Sequence, residues 1–563
     1  MIFAPSHLPS PPKPGSYVAD LALLVVGGSA FLIGLILWLD NAQGGLTGNG
    51  LFKSLELKEW VVDPANAPLY PSNYLFYPVY GALCQVLDLL GIFAGDPRRQ
   101  ITILNALSAS LCLGCVYLLV RTLTGDRLLA LLAALFHISC NYVLFLAIIN
   151  EDIMSSYTVM FVSMALAGVW FAQPTAMRVA VVSAVFTIGW LFEWRLMFPT
   201  LPAMVAALWL CERRLVLRFA WIGLFLAVMF AVTCLVAWFW WGHDEAAGPL
   251  DLIWTGKAVN SAWGGFSWAK FGYLWEGVVG YLLGIGMIEV LGGPGWDTWR
   301  YTSSLWLLAV GIVSLVMLWR VRADNRAWSL LTVFGGTLLA GQVFNLYSQP
   351  QDPQMQINVM AWLTLGWALA SVAAVRRWGS RGRMAMAALT VLLLAYNISG
   401  LVPFRGADTA WQKAIERFER ETDPARTVFV LHDFDWLMTY ASMHWGQTYP
   451  GLETLSSPPQ ETPRFKWIGF ANDLLRHPGW SASDQADAMR REIDQALDLG
   501  YDVVAVRLWA TSADDLKKLS STIADGASVE ALHRMLHTDF VADFLFDDPV
   551  AGAVHRLRRA PGR

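Results

Sequence analysis

The first 402 residues alternate between long apolar runs and short polar breaks. Apolar runs cover 21–39, 101–120, 128–146, 154–172, 178–193, 197–211, 219–241, 303–319, 328–346, 357–375 and 384–402. Crossing a bilayer takes a helix of about 20 residues. The pattern therefore predicts about eleven membrane-spanning helices. Runs 178–193 and 197–211 are short and meet at Glu193-Trp194-Arg195, which predicts a tight hairpin. The first run is too long for a signal-peptide core and lacks a small-residue cleavage site, so it reads as a retained span.

After residue 402 the pattern changes. A polar helical stretch over 408–420 precedes an apolar strand at 427–431, and a second strand is expected at 502–507. Charge spacing predicts helices at 483–498 and 512–523, and 540–557 reads as strands. The predicted fold is thus a polytopic α-helical membrane domain, 1–402, with a soluble α/β domain, 403–563. Two large loops interrupt the membrane part, at 40–100 and 242–302.

Basic residues in short loops set orientation, because they stay on the cytoplasmic side. Alternate loops hold Arg121 and Arg127; Arg178; Arg213, Arg214 and Arg218; Arg320, Arg322 and Arg326; and Arg376, Arg377, Arg381 and Arg383. The intervening short loops, near 147–153, 193–196 and 347–356, hold only Arg195. This bias puts the N-terminus inside and 403–563 outside. The assignment requires that 272–292, apolar but Gly-rich and carrying Glu276 and Glu289, lie along or re-enter the membrane rather than cross it.

Composition agrees with this division. Charged residues make up 15% of the chain and hydrophobic ones 56%, and the charges concentrate after residue 403. The 28 tryptophans suit long membrane interfaces. A net charge of −4 argues against nucleic acid as a partner. All six cysteines lie in or beside apolar segments, so Cys112-x-x-Cys115 reads as helix packing rather than a metal or redox pair. The C-terminal domain has no Gly-rich phosphate loop and reads as a lid or docking platform.

Ionisable groups at membrane depth are costly and mark function. Here they gather at the predicted outer ends of the spans. Asp40 directly follows the first run, and Asn150-Glu151-Asp152 opens the fourth. Glu193 and Arg195 sit in the hairpin turn, and a polar cluster with Asp352 and Gln354 precedes the tenth run. Each also has a plain structural reading: Glu151 and Asp152 suit a helix N-terminus, and Arg195 suits an interfacial anchor. The first loop holds an amphipathic stretch with Lys53 and Lys58, then Pro68-Leu69-Tyr70-Pro71-Ser72-Asn73, then an apolar helix over 75–90. Such elements suit the membrane surface.

An acidic residue just after the first span, followed by surface helices and a Pro-Leu-Tyr-Pro segment, resembles the GT-C superfamily of membrane glycosyltransferases. Ile103-Leu104-Asn105-Ala106-Leu107-Ser108 and Tyr117-Leu118-Leu119-Val120-Arg121-Thr122-Leu123-Thr124-Gly125-Asp126-Arg127 strengthen the likeness. They resemble the second and third spans of protein O-mannosyltransferases and lipid A aminoarabinose transferase. Phe192-Glu193-Trp194-Arg195-Leu196 falls where relatives often have a Thr-Lys pair, so an arginine replaces the lysine. The resemblance covers 20 to about 215 in layout and rests on topology beyond that.

The resemblance implies transfer of one sugar from a polyprenyl-phosphate donor to a glycan, lipid or protein acceptor at the outer face, with inversion. It implies Asp40 as base, with Glu151 or Asp152 orienting the acceptor. The donor phosphate needs cations, for which Arg195, Lys53, Lys58, Lys257 and Lys270 are candidates. Tyr70, Asn73, Glu193, Asp352 and Gln354 are candidates for the pocket. Some relatives use a divalent cation held by paired acids and others do not; the acid cluster here offers oxygen ligands without a diagnostic spacing. A bacterial inner membrane, with the C-terminal domain in the periplasm, fits best. A transporter or flippase, a lipid-diphosphate-dependent ligase and a non-catalytic scaffold are the competing classes. No internal repeat of the kind common in transporters is evident.

The orientation is directly testable. Alkaline phosphatase fused after residue 563 should be active, and a fluorescent protein fused there should stay dark. The reverse result would place the domain in the cytoplasm and make 272–292 a true span.

Overall fold

The computed structural model describes residues 17–41, 49–62, 74–241, 309–320, 324–347, 357–431, 436–445, 458–459, 465–469, 481–520 and 526–562. These form two compact units. The first comprises residues up to Leu39, Pro68–Leu83 and Arg99–Arg405; the second comprises Asp40–Ala67, Cys84–Arg98 and Gly406–Arg563. The second unit thus draws on two stretches of the first large loop as well as the chain after residue 405.

The first unit is helical. Eight of its described helices are long and apolar enough to span a bilayer: α1 (Val18–Leu39), α4 (Pro97–Thr124), α7 (Ile153–Trp170), Trp194–Cys211, α11 (Leu215–Trp241), α13 (Asn325–Leu346), α14 (Ile357–Trp378) and α15 (Ser380–Ser399). Trp194–Cys211 is bent into a first turn, α9 (Trp194–Met197), and a longer helix, α10 (Thr200–Cys211). Shorter apolar helices are α5 (Arg127–Ser139), α8 (Ala176–Phe192) and α12 (Ala309–Arg320). Each expected apolar run overlaps one of these helices within the described residues, and the chain is a multi-pass membrane protein. The segment 272–292 lies outside the described residues.

Burial sorts the helices. The apolar windows of α4 and α14 are 72% buried and that of α7 is 67%, so these form the centre of the unit. The windows of α1 and α11 are only 17% buried, leaving Leu23, Val26, Val216 and Phe219 exposed. In water so much exposed apolar surface would be unfavourable; against lipid tails it costs nothing. Helix α7 packs against α8, α8 against α11, and α5 against α14 and α15.

One end of the bundle is tied by charge. Arg127 holds the buried Asp20 through two guanidinium nitrogens, with Nε–Oδ2 at 2.8 Å and Nη2–Oδ1 at 2.5 Å, and the Tyr117 hydroxyl donates to the same carboxylate. Asp126 caps α5 at the Leu128 and Leu129 amides and takes a 2.7 Å bond from Arg383. A buried carboxylate so close to lipid is stable only when paired and hydrogen-bonded. The 128–146 run is not one helix: α5 stops at Ser139, Cys140 is extended, and the short α6 (Asn141–Leu146) follows.

The second unit contains a five-stranded sheet in the order β2-β1-β3-β5-β4. Strands β1 (Thr427–Leu431), β2 (Trp467–Gly469) and β3 (Asp502–Val506) run parallel, while β5 (Gly552–Arg559) pairs antiparallel with both β3 and β4 (Phe540–Asp548). Successive strand residues face opposite sides. Val428, Val430, Val503 and Ala505 therefore enter one core with Met489, Ile493, Val529 and Leu532. Phe429, Leu431, Val504 and Val506 enter the other with Trp411, Ile415, Phe418 and Leu437. Helices cover both faces, which explains why β1 and β3 read as unbroken apolar runs. The second core also takes Leu55 from α2 (Asn49–Val62).

The expected helices appear at α16 (Ala407–Glu421), α18 (Ala482–Asp498) and α19 (Ala513–Ser520). Helix α17 (Trp436–His444), α20 (Gly526–Asp539) and the short β2 are not among the expected elements, although α20 carries apolar residues at helical spacing, Val529, Leu532, Met535 and Leu536. Helix α18 starts with a capping box: Asp484 N–H donates to Ser481 Oγ, and Ser481 N–H donates to Asp484 Oδ2 at 3.1 Å. Ser481→Ala should cost about 1 kcal/mol. In thermal unfolding followed by circular dichroism this lowers the midpoint by about 2–4 °C; an unchanged midpoint would show that the cap contributes nothing.

Candidate functional site

In the first unit, α7 and α8 form an antiparallel hairpin, so the chain leaving α8 returns to the end where α7 began. Asn150, Glu151 and Asp152 precede α7, and Glu193 follows α8. All four are essentially fully buried. Glu193 is extended and caps α9, its carboxylate accepting the Arg195 N–H at 3.1 Å. The same carboxylate takes a two-pronged ion pair from the Arg195 side chain, Nε at 2.8 Å and Nη2 at 2.9 Å. Arg195 interacts most strongly with Glu193, and also with Asp152 and Glu151. The structure thus brings together Glu151, Asp152, Glu193 and Arg195, four residues selected from sequence.

Local structure makes this convergence possible. Ser156 Oγ, one turn into α7, donates to the Gly189 carbonyl at 3.2 Å and to the Glu193 carbonyl at 3.4 Å. Gly189 leaves room for α9 to fold back: a Cβ there would lie 3.0 Å from Met197 Cε. The Leu75 N–H donates to the Leu191 carbonyl at 2.9 Å, tying the start of α3 (Phe76–Leu89) to the end of α8.

Glu151, Asp152 and Glu193 lie around Arg195, whose fork is already engaged by Glu193. A guanidinium in such a pair meets a phosphate only alongside a carboxylate that repels it. Among the described residues no group of three or more His, Cys, Asp or Glu forms a metal site.

The remaining candidates belong to the second unit or lie outside the described residues. Asp40 belongs to the second unit and has φ of +46°, a left-handed conformation unusual for a side chain other than glycine. Its carbonyl accepts the Asp408 N–H at 3.0 Å, and its Oδ2 accepts from the Thr409 N–H at 3.3 Å and hydroxyl at 2.5 Å. Helix α16 begins after Gly406, which has no side chain to cap it. Asp40 thus satisfies first-turn donors that would otherwise lack partners. Lys53 and Lys58 lie on α2 in the same unit, Lys53 facing Glu56 at 4.0 Å. Burial holds the Lys58 ammonium below its usual pKa; Asp96 opposes the shift and Arg98 adds to it. Tyr70, Asn73, Lys257, Lys270, Asp352 and Gln354 lie outside the described residues.

Sequence reasoning passed over several polar residues that the fold buries. Asn105, quoted above only as part of a run, donates to the Ile149 and Glu151 carbonyls at 2.8 and 2.7 Å. Tyr80 donates to its Oδ1 at 2.7 Å. His137 lies inside the bundle, with Thr364 Oγ1 at 2.8 Å from Nδ1, and Tyr157 and Cys112 beside Nε2. In the second unit Arg98 pairs with Asp96 at 3.0 Å and lies 4.3 Å over the Tyr440 ring. A polar side chain inside an apolar run was the available signal for Asn105 and His137; nothing marked Tyr80.

No protein-family model matches the chain, and no curated protein sequence matches it. Two solved structures are similar in fold, both crystal structures of ArnT from Cupriavidus metallidurans. The one bound to undecaprenyl phosphate is 13% identical, covers 96% of this chain and 98% of its own, and has a TM-score of 0.49. The apo form is 14% identical with the same coverage and a TM-score of 0.44.

The ion pair yields a prediction about stability. Arg195→Gln leaves the buried Glu193 carboxylate without its paired guanidinium and should cost about 3–5 kcal/mol. Glu193→Gln leaves Arg195 facing Asp152 and Glu151 and should cost clearly less. Thermal unfolding in detergent at pH 7.5 ranks the two; the opposite order would mean that Glu151 and Asp152 do not rely on Arg195.

Proposed function

We propose that this chain is a GT-C-type glycosyltransferase. It moves one sugar from a polyprenyl-phosphate donor to an acceptor at the outer face of a bacterial inner membrane. The observation that carries the reading is the group of buried Glu151, Asp152 and Glu193 with partly buried Arg195 at one end of the α7–α8 hairpin. Buried ionisable groups in a membrane bundle are costly and are kept where they act. The group falls within the part of the chain, 20 to about 215, whose layout resembles this superfamily.

In this reading the donor's tail lies among lipid-facing helices, and its phosphate leaves as the acceptor oxygen attacks the anomeric carbon. The acceptor–carbon bond forms as the carbon–phosphate-oxygen bond breaks, which inverts that centre. An acceptor hydroxyl is a poor nucleophile at neutral pH and needs a base to take its proton. Asp40 is the first candidate, with Glu151 or Asp152 orienting the acceptor. Arg195, Lys53 and Lys58 remain candidates to balance charge on the leaving phosphate, together with Lys257 and Lys270. Tyr70, Asn73, Glu193, Asp352 and Gln354 are proposed for the pocket.

The contact of Asp40 with α16 supports a second, purely structural role for that residue, and one substitution separates the two. Asparagine caps a helix about as well as aspartate but cannot act as a base. Asp40→Asn should therefore keep the wild-type unfolding midpoint and lower sugar transfer by about 10²–10⁴-fold. The assay is transfer of radiolabelled sugar from a panel of undecaprenyl-phosphate-linked donors in detergent, without any gradient. Full activity in this variant would remove Asp40 as the base, and no transfer by wild-type protein from any such donor would favour a transporter or scaffold.

A further inference from the structure

Asn105 lies two turns inside α4, where its amide is fully buried in an apolar helix. An amide there is unfavourable unless its hydrogen bonds are made. Its nitrogen serves one place: Nδ2 donates to the Ile149 carbonyl at 2.8 Å and the Glu151 carbonyl at 2.7 Å. These carbonyls flank Asn150, in the irregular chain between α6 and α7. Backbone without a helical ladder can persist at such depth only when other groups satisfy it. The Tyr80 hydroxyl, on α3, donates to Asn105 Oδ1 at 2.7 Å. The two carbonyls can only accept, so they require Nδ2 toward the turn, and the Tyr80 hydroxyl, donating to the remaining oxygen, holds the amide in that orientation. The Tyr80 ring is itself stacked on Phe76, centroids 4.4 Å apart.

We infer that Asn105 is a positioning residue for the acid turn, and that Tyr80 sets the orientation in which it acts. Asn105 clamps the backbone on both sides of Asn150. It thereby decides where the Glu151 and Asp152 carboxylates lie relative to Glu193 and Arg195. Its functional part rests on the proposed glycosyltransfer, because it assumes that these carboxylates face the lipid-phosphate headgroup; the clamp itself does not.

The test uses the full-length protein in detergent with three variants. Tyr80→Phe removes one hydroxyl and is the least disruptive, Asn105→Leu removes the clamp, and Asn105→Asp replaces its donors with a carboxylate. The first readout is amide hydrogen exchange. Peptides covering 147–152 should exchange about tenfold faster in all three variants, with α7 and α8 protected as in wild type. Unchanged exchange in this turn would overturn the clamp.

The second readout is the Kd for undecaprenyl phosphate, with undecaprenol as the control lacking the phosphate, between pH 5 and 8. Binding should weaken by about fivefold in Tyr80→Phe and tenfold or more in Asn105→Leu. Asn105→Asp should approach wild type at pH 5, where a protonated acid can donate to one carbonyl, and weaken by about tenfold at pH 8. A merely structural role would show no such recovery with pH. Equal binding by all variants at every pH, with wild type still preferring the phosphate, would overturn the functional part. If wild type does not prefer undecaprenyl phosphate to undecaprenol, the proposed function fails, and the exchange data alone decide the clamp.

Discussion

The ion pair of buried Glu193 with Arg195, with Glu151 and Asp152 beside it, is the arrangement on which the first unit depends. Water cannot compensate charge at that depth, so the protein must do so itself. Glu193 meets both Nε and Nη2 of Arg195. The geometry is available only because α9 turns back immediately after α8, with Glu193 as its cap and Gly189 leaving space for Met197. Backbone and side chain are thus solved together: the same carboxylate that starts α9 pairs with the second residue of that helix.

The opposite end of the bundle solves the same problem with different residues. Asp20 is matched by Arg127 and Tyr117, and Asp126 by Arg383, so charge joins α1, α4, α5 and α15. There Asp20 and Asp126 each meet an arginine side chain. At the acid turn Glu151, Asp152, Glu193 and Arg195 gather at one end of the α7–α8 hairpin, which is why the functional reading is placed there.

The second unit rests on another constraint, a sheet covered on both faces. Alternation along β1 and β3 sends neighbouring residues into separate cores. Helix α16 closes one of them through Trp411, Ile415 and Phe418, and its first turn is satisfied by Asp40. The residue chosen from sequence as a base therefore has a conformational duty as well, and its left-handed backbone brings carbonyl and carboxylate to the same helix end.

The amino-acid sequence by itself determined the spans, because apolar length is a local property that the bilayer reads directly. It likewise determined strands β1, β3, β4 and β5 and most helices of the C-terminal domain, and it identified Glu151, Asp152, Glu193 and Arg195 as candidates, since charge beside an apolar run is visible without a fold. Only the tertiary structure decided who meets whom. The bond from Asn105 to a turn more than 40 residues away, the support of Tyr80, the capping of α16 by Asp40 and the entry of Leu55 into the sheet's core each join distant parts of the chain. Partners of that kind are set by helix packing and chain reversal, and residue spacing along the sequence carries no trace of them.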